Sequence, residues 1–380
     1  MYEPAGRHTS NAAFLWPAFA AASVSEMAAL AAKQFTDFAV GLDGPAVAEP
    51  QWTTTHKVAL ELKTACLRDF TTGSEGTSVL VCAPYALHGA VMSDLAPGHS
   101  LVAALRGAGL RRLYVVDWRT ASADMRFLGI DDYLADLNVL VDAVDAPVDL
   151  IGMCQGGWLA LVYAARFPAK VRKLVLAGAP IDIMAARSAL SVLAEDSPLA
   201  IFRELVRLGD GLVSGRKVLK FWGPQAVGAE DIRQALQIEQ PMGAAEFGRL
   251  EARFRDWYAW TVDLPGGYFL DVVDKIYKRN EIAAGSLVAL GQKIDIATVR
   301  TPIFLLAARD DELVAPPQLF GVQRLVSNAA RDIRKAIAPC RHLGLFMGKR
   351  VLEEVWPDIV HWLAETPARH QIQHTHCRKT

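Results

Sequence analysis

The chain has 380 residues, 52% of them hydrophobic and 21% charged, with 40 basic side chains against 41 acidic. That length holds one large domain or two medium ones, and that apolar content excludes a mainly disordered chain. A formal net charge of −1 leaves no basic excess for a nucleic-acid footprint, so no nucleic-acid partner is expected. Five cysteines, an odd number with no C-x-x-C pair, argue against a disulfide framework. The histidine cluster His370, His374 and His376 sits in a polar tail, so structural zinc is not expected. These features read as a globular protein of a reducing, cytoplasmic compartment.

Residues 12–32 form an apolar, alanine-rich run. A secretory signal wants a basic start, yet only Arg7 precedes the run and Glu3 opposes it. Pro17, Ser23, Ser25 and Glu26 interrupt it, so the roughly 20 unbroken apolar residues of a membrane span are missing. The run reads first as an amphipathic helix on the domain surface, next as an interfacial helix docking on a hydrophobic surface, and last as a cleaved signal.

From about residue 55, short apolar runs alternate with helical patterns. Strands are predicted at 78–82, 113–116, 148–151, 173–177, 303–307 and 333–337, with helices over 101–106, 133–144 and 157–166 between the early ones. Continuous apolar runs of this length suit strands buried on both faces, and their alternation with helices implies a mostly parallel open sheet flanked by helices. The stretch 182–296 is too long for a loop and should hold helices of its own. Its aromatics, including Phe221, Trp222, Phe254, Trp257, Tyr258, Trp260, Tyr268, Phe269 and Tyr277, read either as an ordinary small core or as a cap with some rings lining an acyl tunnel. The division is then an N-terminal helical segment at 1–54, core at 55–181, cap at 182–296, core again at 297–366 and a polar tail at 367–380.

The third strand runs into Gly152-Met153-Cys154-Gln155-Gly156-Gly157 and then a helical pattern. This is the strand–nucleophile–helix elbow of the α/β-hydrolase fold, with cysteine at the nucleophile position. A strained turn aims the side chain away from the sheet, and Gly152 and Gly156 let strand and helix approach. The backbone N–H of Gln155 faces an oxyanion at the positive end of a helix, which also favours the thiolate of Cys154. An elbow needs an acid and then a histidine later in the chain. Asp310 and Asp311 both follow the fifth strand, and His342 follows the last. His88 and His99 fall after the first strand, near the second half of an oxyanion hole. His8, His56 and His361 lie off the site.

These residues resemble the polyhydroxyalkanoate synthase family, acyltransferases of the α/β-hydrolase fold with a catalytic cysteine. The likeness is densest at Tyr85-Ala86-Leu87 with Met92-Ser93-Asp94-Leu95, at Val116-Asp117-Trp118 with Gly129 to Leu134, at Cys154 to Gly157 with Phe167 to Val171, and at Tyr277 to Gly285 with Asp310 to Val314. It is closest to the short, two-subunit type. The resemblance implies Cys154 as nucleophile, Asp311 as acid, His342 as base, and oxyanion donors at Gln155 and near Leu87. Three positions depart from the family pattern. His88-Gly89-Ala90-Val91 replaces a loop with an asparagine and a basic residue, Glu312 stands where histidine commonly follows the acid, and Arg341 replaces the glycine before the histidine. The segment from His342 to Arg350 with Glu353 to Ile359 instead resembles intracellular polyhydroxyalkanoate depolymerases, which are related cysteine hydrolases.

The resemblance implies transfer of (R)-3-hydroxyacyl groups from CoA thioesters to a hydroxyl acceptor, forming polyester. Its alternatives are a depolymerase or acyl-CoA thioesterase with water as acceptor, and a catalytically silent granule-binding protein. It implies a 3-hydroxyacyl-CoA or polyester chain as substrate, a second synthase subunit or a homodimer as partner, and residence at polyester granules. CoA arrives as a leaving group, so no cofactor is expected.

Overall fold

The computed structural model describes residues 47–222, 227–239, 241–326 and 333–365. The run 12–32 and the tail 367–380 lie outside the described residues. Eight strands form one sheet: β1 (Lys57–Glu61), β2 (Ala65–Asp69), β3 (Val79–Cys82), β4 (Leu113–Trp118), β5 (Val148–Met153), β6 (Val171–Ala177), β7 (Ile303–Ala308) and β8 (Ile333–Ala338). Their order is β1-β2-β4-β3-β5-β6-β7-β8. The neighbours from β4 to β8 pair in parallel, while β1 with β2 and β2 with β4 pair antiparallel.

The pleat explains why the parallel strands read as unbroken apolar runs. Val79 and Val81 of β3, with Phe304 and Leu306 of β7, belong to the core on one face of the sheet. Leu80 and Cys82, with Ile303 and Leu305, belong to the core on the other. β8 is the edge strand, and its Arg334 and Lys335 are exposed, as an edge needs if it is not to recruit another strand. β1 and β2 add an antiparallel ribbon that hydrophobic patterning does not predict. Most of β1 faces solvent, so the sequence carries little apolar signal there.

Helices α1 (Leu101–Gly107), α2 (Ile130–Asp142) and α3 (Gln155–Arg166) cover the sheet, with α4 (Trp356–Ala364) near the carboxy end. α2 starts earlier than its apolar pattern suggests, because the Asp132 carboxylate accepts the Gly129 N–H at 2.8 Å. Between β6 and β7 the chain forms the cap. Its helices include Ala189–Asp196, Leu199–Leu208, Gly215–Trp222, Ala229–Leu236 and Ala244–Ala259, followed by Gly266–Asp271 and a π-helical turn over Val272–Lys278. Among the described residues no helix is long and apolar enough to cross a membrane.

The sheet carries an inserted helical cap, as the α/β-hydrolase fold does. Strand order reverses around β3, whose neighbours are β4 and β5. A crevice at the carboxyl ends of such strands is where open α/β sheets bind ligands, and β5 ends there at Met153, just before Cys154.

Candidate active site

Cys154 sits between β5 and α3 with φ 49° and ψ −123°, a conformation L residues rarely adopt. Strain of this kind amounts to about 1–3 kcal/mol, and the surrounding backbone imposes it. The Cys154 N–H donates to the Ala177 carbonyl at 2.9 Å, and its own carbonyl accepts from Gly157 N–H at 2.9 Å. The glycines explain the tightness. A Cβ on Gly152 would lie 2.5 Å from Gly157 Cα, and one on Gly156 would lie 2.2 Å from the Cys82 carbonyl oxygen. These are backbone atoms that cannot swing away. Gln155 opens α3, where a first-turn amide has no acceptor within its own helix.

His342 is 1% exposed, and its Nδ1 lies 2.8 Å from Asp311 Oδ2. The other carboxylate oxygen of Asp311 accepts the N–H groups of Leu313 at 3.0 Å and Val314 at 2.9 Å. Asp311 is thus clamped by its own turn and aimed at the imidazole. With Nδ1–H donating to Asp311, Nε2 is the ring nitrogen left to exchange a proton. Nε2 is buried with no hydrogen-bond partner, and Cys154 lies near enough to bear on the charge of the imidazole. Burial opposes a charge on His342, but Asp311 and Cys154 together outweigh it and hold the imidazole well above its ordinary value. The structure therefore brings Cys154, Asp311 and His342 together, and leaves Asp310 exposed at the loop surface.

Gly178 was not foreseen as part of this site. It follows β6 with φ 56°, and a Cβ there would stand 3.0 Å from His342 Cε1 and 2.9 Å from Leu345 Cδ1. Its absent side chain is the space that the imidazole occupies. A glycine directly after a strand that ends beside the nucleophile was the available signal.

Three of the other described histidines have structural partners. His88 is buried, its Nδ1 lies 3.2 Å from the Trp260 carbonyl, and its ring packs on Trp257 and Tyr258 at 4.7 and 5.0 Å between centroids. Burial pushes its pKa down to about 4, so it is neutral. His99 faces the Met347 carbonyl at 2.9 Å, and His56 faces Arg68 Nη1 at 2.9 Å. His361 is exposed on α4. Of the described cysteines, Cys66, Cys82 and Cys340 are buried and only Cys154 is partly open. Burial pushes Cys82 and Cys340 up to about 12, so they are inert thiols. Among the described residues no three metal-ligating side chains cluster.

Leu87 and Gln155 line one cavity, whose empty space of about 560 Å³ includes the part open to solvent. Val213, Val218, Phe269, Val272 and Val273 of the cap make its outer wall. The Leu87 carbonyl accepts the Val262 N–H at 3.0 Å, which ties this loop to the cap. The cap aromatics therefore divide. Trp257, Tyr258 and Trp260 pin the His88 loop, whereas Tyr268, Phe269 and Tyr277 line the cavity. Phe221 and Trp222 have no described side chains. Two of the departures from the family pattern meet near the acid: Arg341 Nε lies 3.9 Å from Glu312 Oε2, and burial raises the Glu312 carboxyl.

Comparison with known proteins supplies the family. The poly(3-hydroxyalkanoate) polymerase subunit PhaC of Synechocystis sp. PCC 6803 is 30% identical over 289 residues, covering 72% of this chain and 74% of its own. The chain belongs to the PhaC family of poly(3-hydroxyalkanoate) polymerases. PhaC of Allochromatium vinosum matches at 27% over 281 residues, covering 72% of this chain and 77% of its own. The family model described as PHB de-polymerase C-terminus matches residues 236–366, the part whose sequence resembles depolymerases. Among solved structures, BpoC of Mycobacterium tuberculosis H37Rv superposes with a TM-score of 0.50 at 16% identity, covering 80% of this chain and 98% of that one. A bacterial membrane phospholipase A gives 0.50 at 13%, covering 90% and 93%. At these identities the likeness is one of fold. The chain is a PhaC-family member with the apparatus for acyl transfer or ester hydrolysis.

Proposed function

We propose that this PhaC-family protein is an acyltransferase that moves (R)-3-hydroxyacyl groups from CoA thioesters to a hydroxyl acceptor through a Cys154–His342–Asp311 triad. In this reading His342 Nε2 takes the Cys154 proton and the thiolate attacks the thioester carbonyl. The Gln155 N–H and a donor near Leu87 hold the oxyanion. The carbonyl–sulfur bond to CoA breaks, His342 returns its proton to the leaving thiolate, and the acyl group stays on Cys154. The acceptor hydroxyl then gives its proton to His342 as its oxygen attacks, an ester forms and the thiol is restored. Asp311 keeps the Nδ1 proton in place and stabilises the imidazolium.

The observation that carries the choice of a hydroxyl acceptor is enclosure. His342 is buried to 1%, and the cap walls the cavity beside Gln155 with aliphatic and aromatic side chains, which offers water few partners beside an acyl-enzyme on the partly open Cys154. A second reading, polyester or thioester hydrolysis on the same triad, draws on the depolymerase-like match over residues 236–366. A second subunit or homodimer, and association with polyester granules, go with the first reading. The test is single-turnover chemistry with (R)-3-hydroxybutyryl-CoA, following free CoA and the acyl product. CoA release with oligomeric ester, lost in Cys154→Ala, is expected. Free 3-hydroxy acid alone, or acid liberated only from amorphous polyester, would transfer the protein to the hydrolases.

A further inference from the structure

The cavity that opens at Gln155, the residue after Cys154, has a polar group that the proposed triad chemistry leaves unused. Tyr277 stands on the π-helical turn Val272–Lys278, a geometry that inserts a residue into a helix and is frequent at functional sites. Its side chain is buried and lines the cavity with Leu87, Gln155 and Tyr268. The phenolic oxygen is shut off from water and has no hydrogen-bond partner in the protein. Its neighbour Tyr85, on the same wall, donates its hydroxyl to the Asp263 carbonyl at 3.3 Å. A buried hydroxyl left unpaired is destabilising, and such groups in native proteins call for a missing partner. Burial first, and the charge of the nearby Cys154 second, hold the phenol well above its ordinary value, so it is protonated and able to donate.

We propose that Tyr277 donates a hydrogen bond to the 3-hydroxyl oxygen of the acyl group carried on Cys154, and so selects 3-hydroxyacyl over unsubstituted acyl thioesters. The inference rests on the acyl-transfer reading above and adds a determinant of its substrate class. The otherwise apolar wall accepts either chain, because aliphatic and aromatic surface discriminates weakly against one added hydroxyl. A donor left unpaired in that wall rewards the hydroxyl. The substrate oxygen accepts from the phenol while its own proton stays free for the next transfer.

The test compares kcat/KM for (R)-3-hydroxybutyryl-CoA and butyryl-CoA, by CoA release, in wild-type protein and Tyr277→Phe. The ratio is read within each preparation, so a smaller folded fraction does not move it. A wild-type preference for the hydroxylated thioester is expected, falling roughly 10-fold in Tyr277→Phe, the scale of one hydrogen bond. An unchanged ratio in the variant, or wild-type protein with no preference, overturns the assignment while leaving acyl transfer standing. Wild-type protein that releases CoA from neither thioester overturns the acyl-transfer reading and this inference with it.

Discussion

Replacing Gly178 by alanine should damage the active site more than the fold. The residue has φ 56°, a left-handed conformation that costs an L side chain about 1–2 kcal/mol. The new Cβ would also stand 3.0 Å from His342 Cε1 and 2.9 Å from Leu345 Cδ1, inside ordinary carbon–carbon contact. Relieving that overlap moves the imidazole by about half an ångström and adds roughly 1–3 kcal/mol of packing strain. The combined loss of about 2–5 kcal/mol corresponds, for a chain of this length, to a fall in Tm of roughly 3–6 °C. Misplacement of a catalytic group on this scale lowers a rate by roughly 10- to 100-fold. The control is Gly98→Ala, where φ is 78° but nothing lies within 4 Å of the new Cβ. It shares the backbone strain and lacks the clash. The assay pairs thermal melts of both variants with the rate of Cys154 acylation by (R)-3-hydroxybutyryl-CoA. If Gly178→Ala melts with Gly98→Ala and acylates at the wild-type rate, the claim that this glycine makes room for His342 is wrong.

Asp311→Asn should lower acylation by roughly 10²- to 10⁴-fold with little change in fold, because the amide favours the wrong imidazole tautomer. Single-turnover rates check it, and a loss under threefold would refute the assigned role. Gly156→Ala should abolish soluble folded protein or lower Tm sharply, since its Cβ would sit 2.2 Å from a backbone carbonyl; a melt matching wild type would refute this close approach. Acid should destabilise the fold through His88. Its folded pKa of about 4 lies below the ordinary 6.5, so its contribution is present above pH 6.5 and is lost as pH falls toward 4, by up to about 3 kcal/mol. Denaturant melts across that window should flatten in His88→Gln, and an unchanged slope would refute the assignment. His342 has the opposite sign. Its raised pKa contributes stability in full below about pH 6.5 that is lost as pH climbs through the elevated value, and the Asp311→Asn variant should lose that alkaline slope.

The parallel strands and the elbow were legible because both are local. A strand buried on two faces must be apolar at every position, and Gly152 and Gly156 flank Cys154 within one turn of chain. The order of nucleophile, acid and histidine was legible because the topology delivers each to the carboxyl end of a strand. Local pattern did not decide between Asp310 and Asp311, which are adjacent and chemically identical. The fold separates them by exposing one and clamping the other on Leu313 and Val314 toward His342. The β1–β2 ribbon was silent because most of β1 faces solvent and burial left no imprint on its sequence. Gly178, the approach of Arg341 to Glu312 and the split of the cap aromatics between loop and cavity depend on distances between segments far apart in the chain. The sequence by itself determined the family, the parallel strands and the candidate nucleophile, since those rest on hydrophobic period and short-range sterics. Tertiary structure alone decided which acid meets the histidine, how deeply the site is enclosed and which cavity-lining tyrosine is left without a partner, because burial and hydrogen bonding are settled by what packs on top.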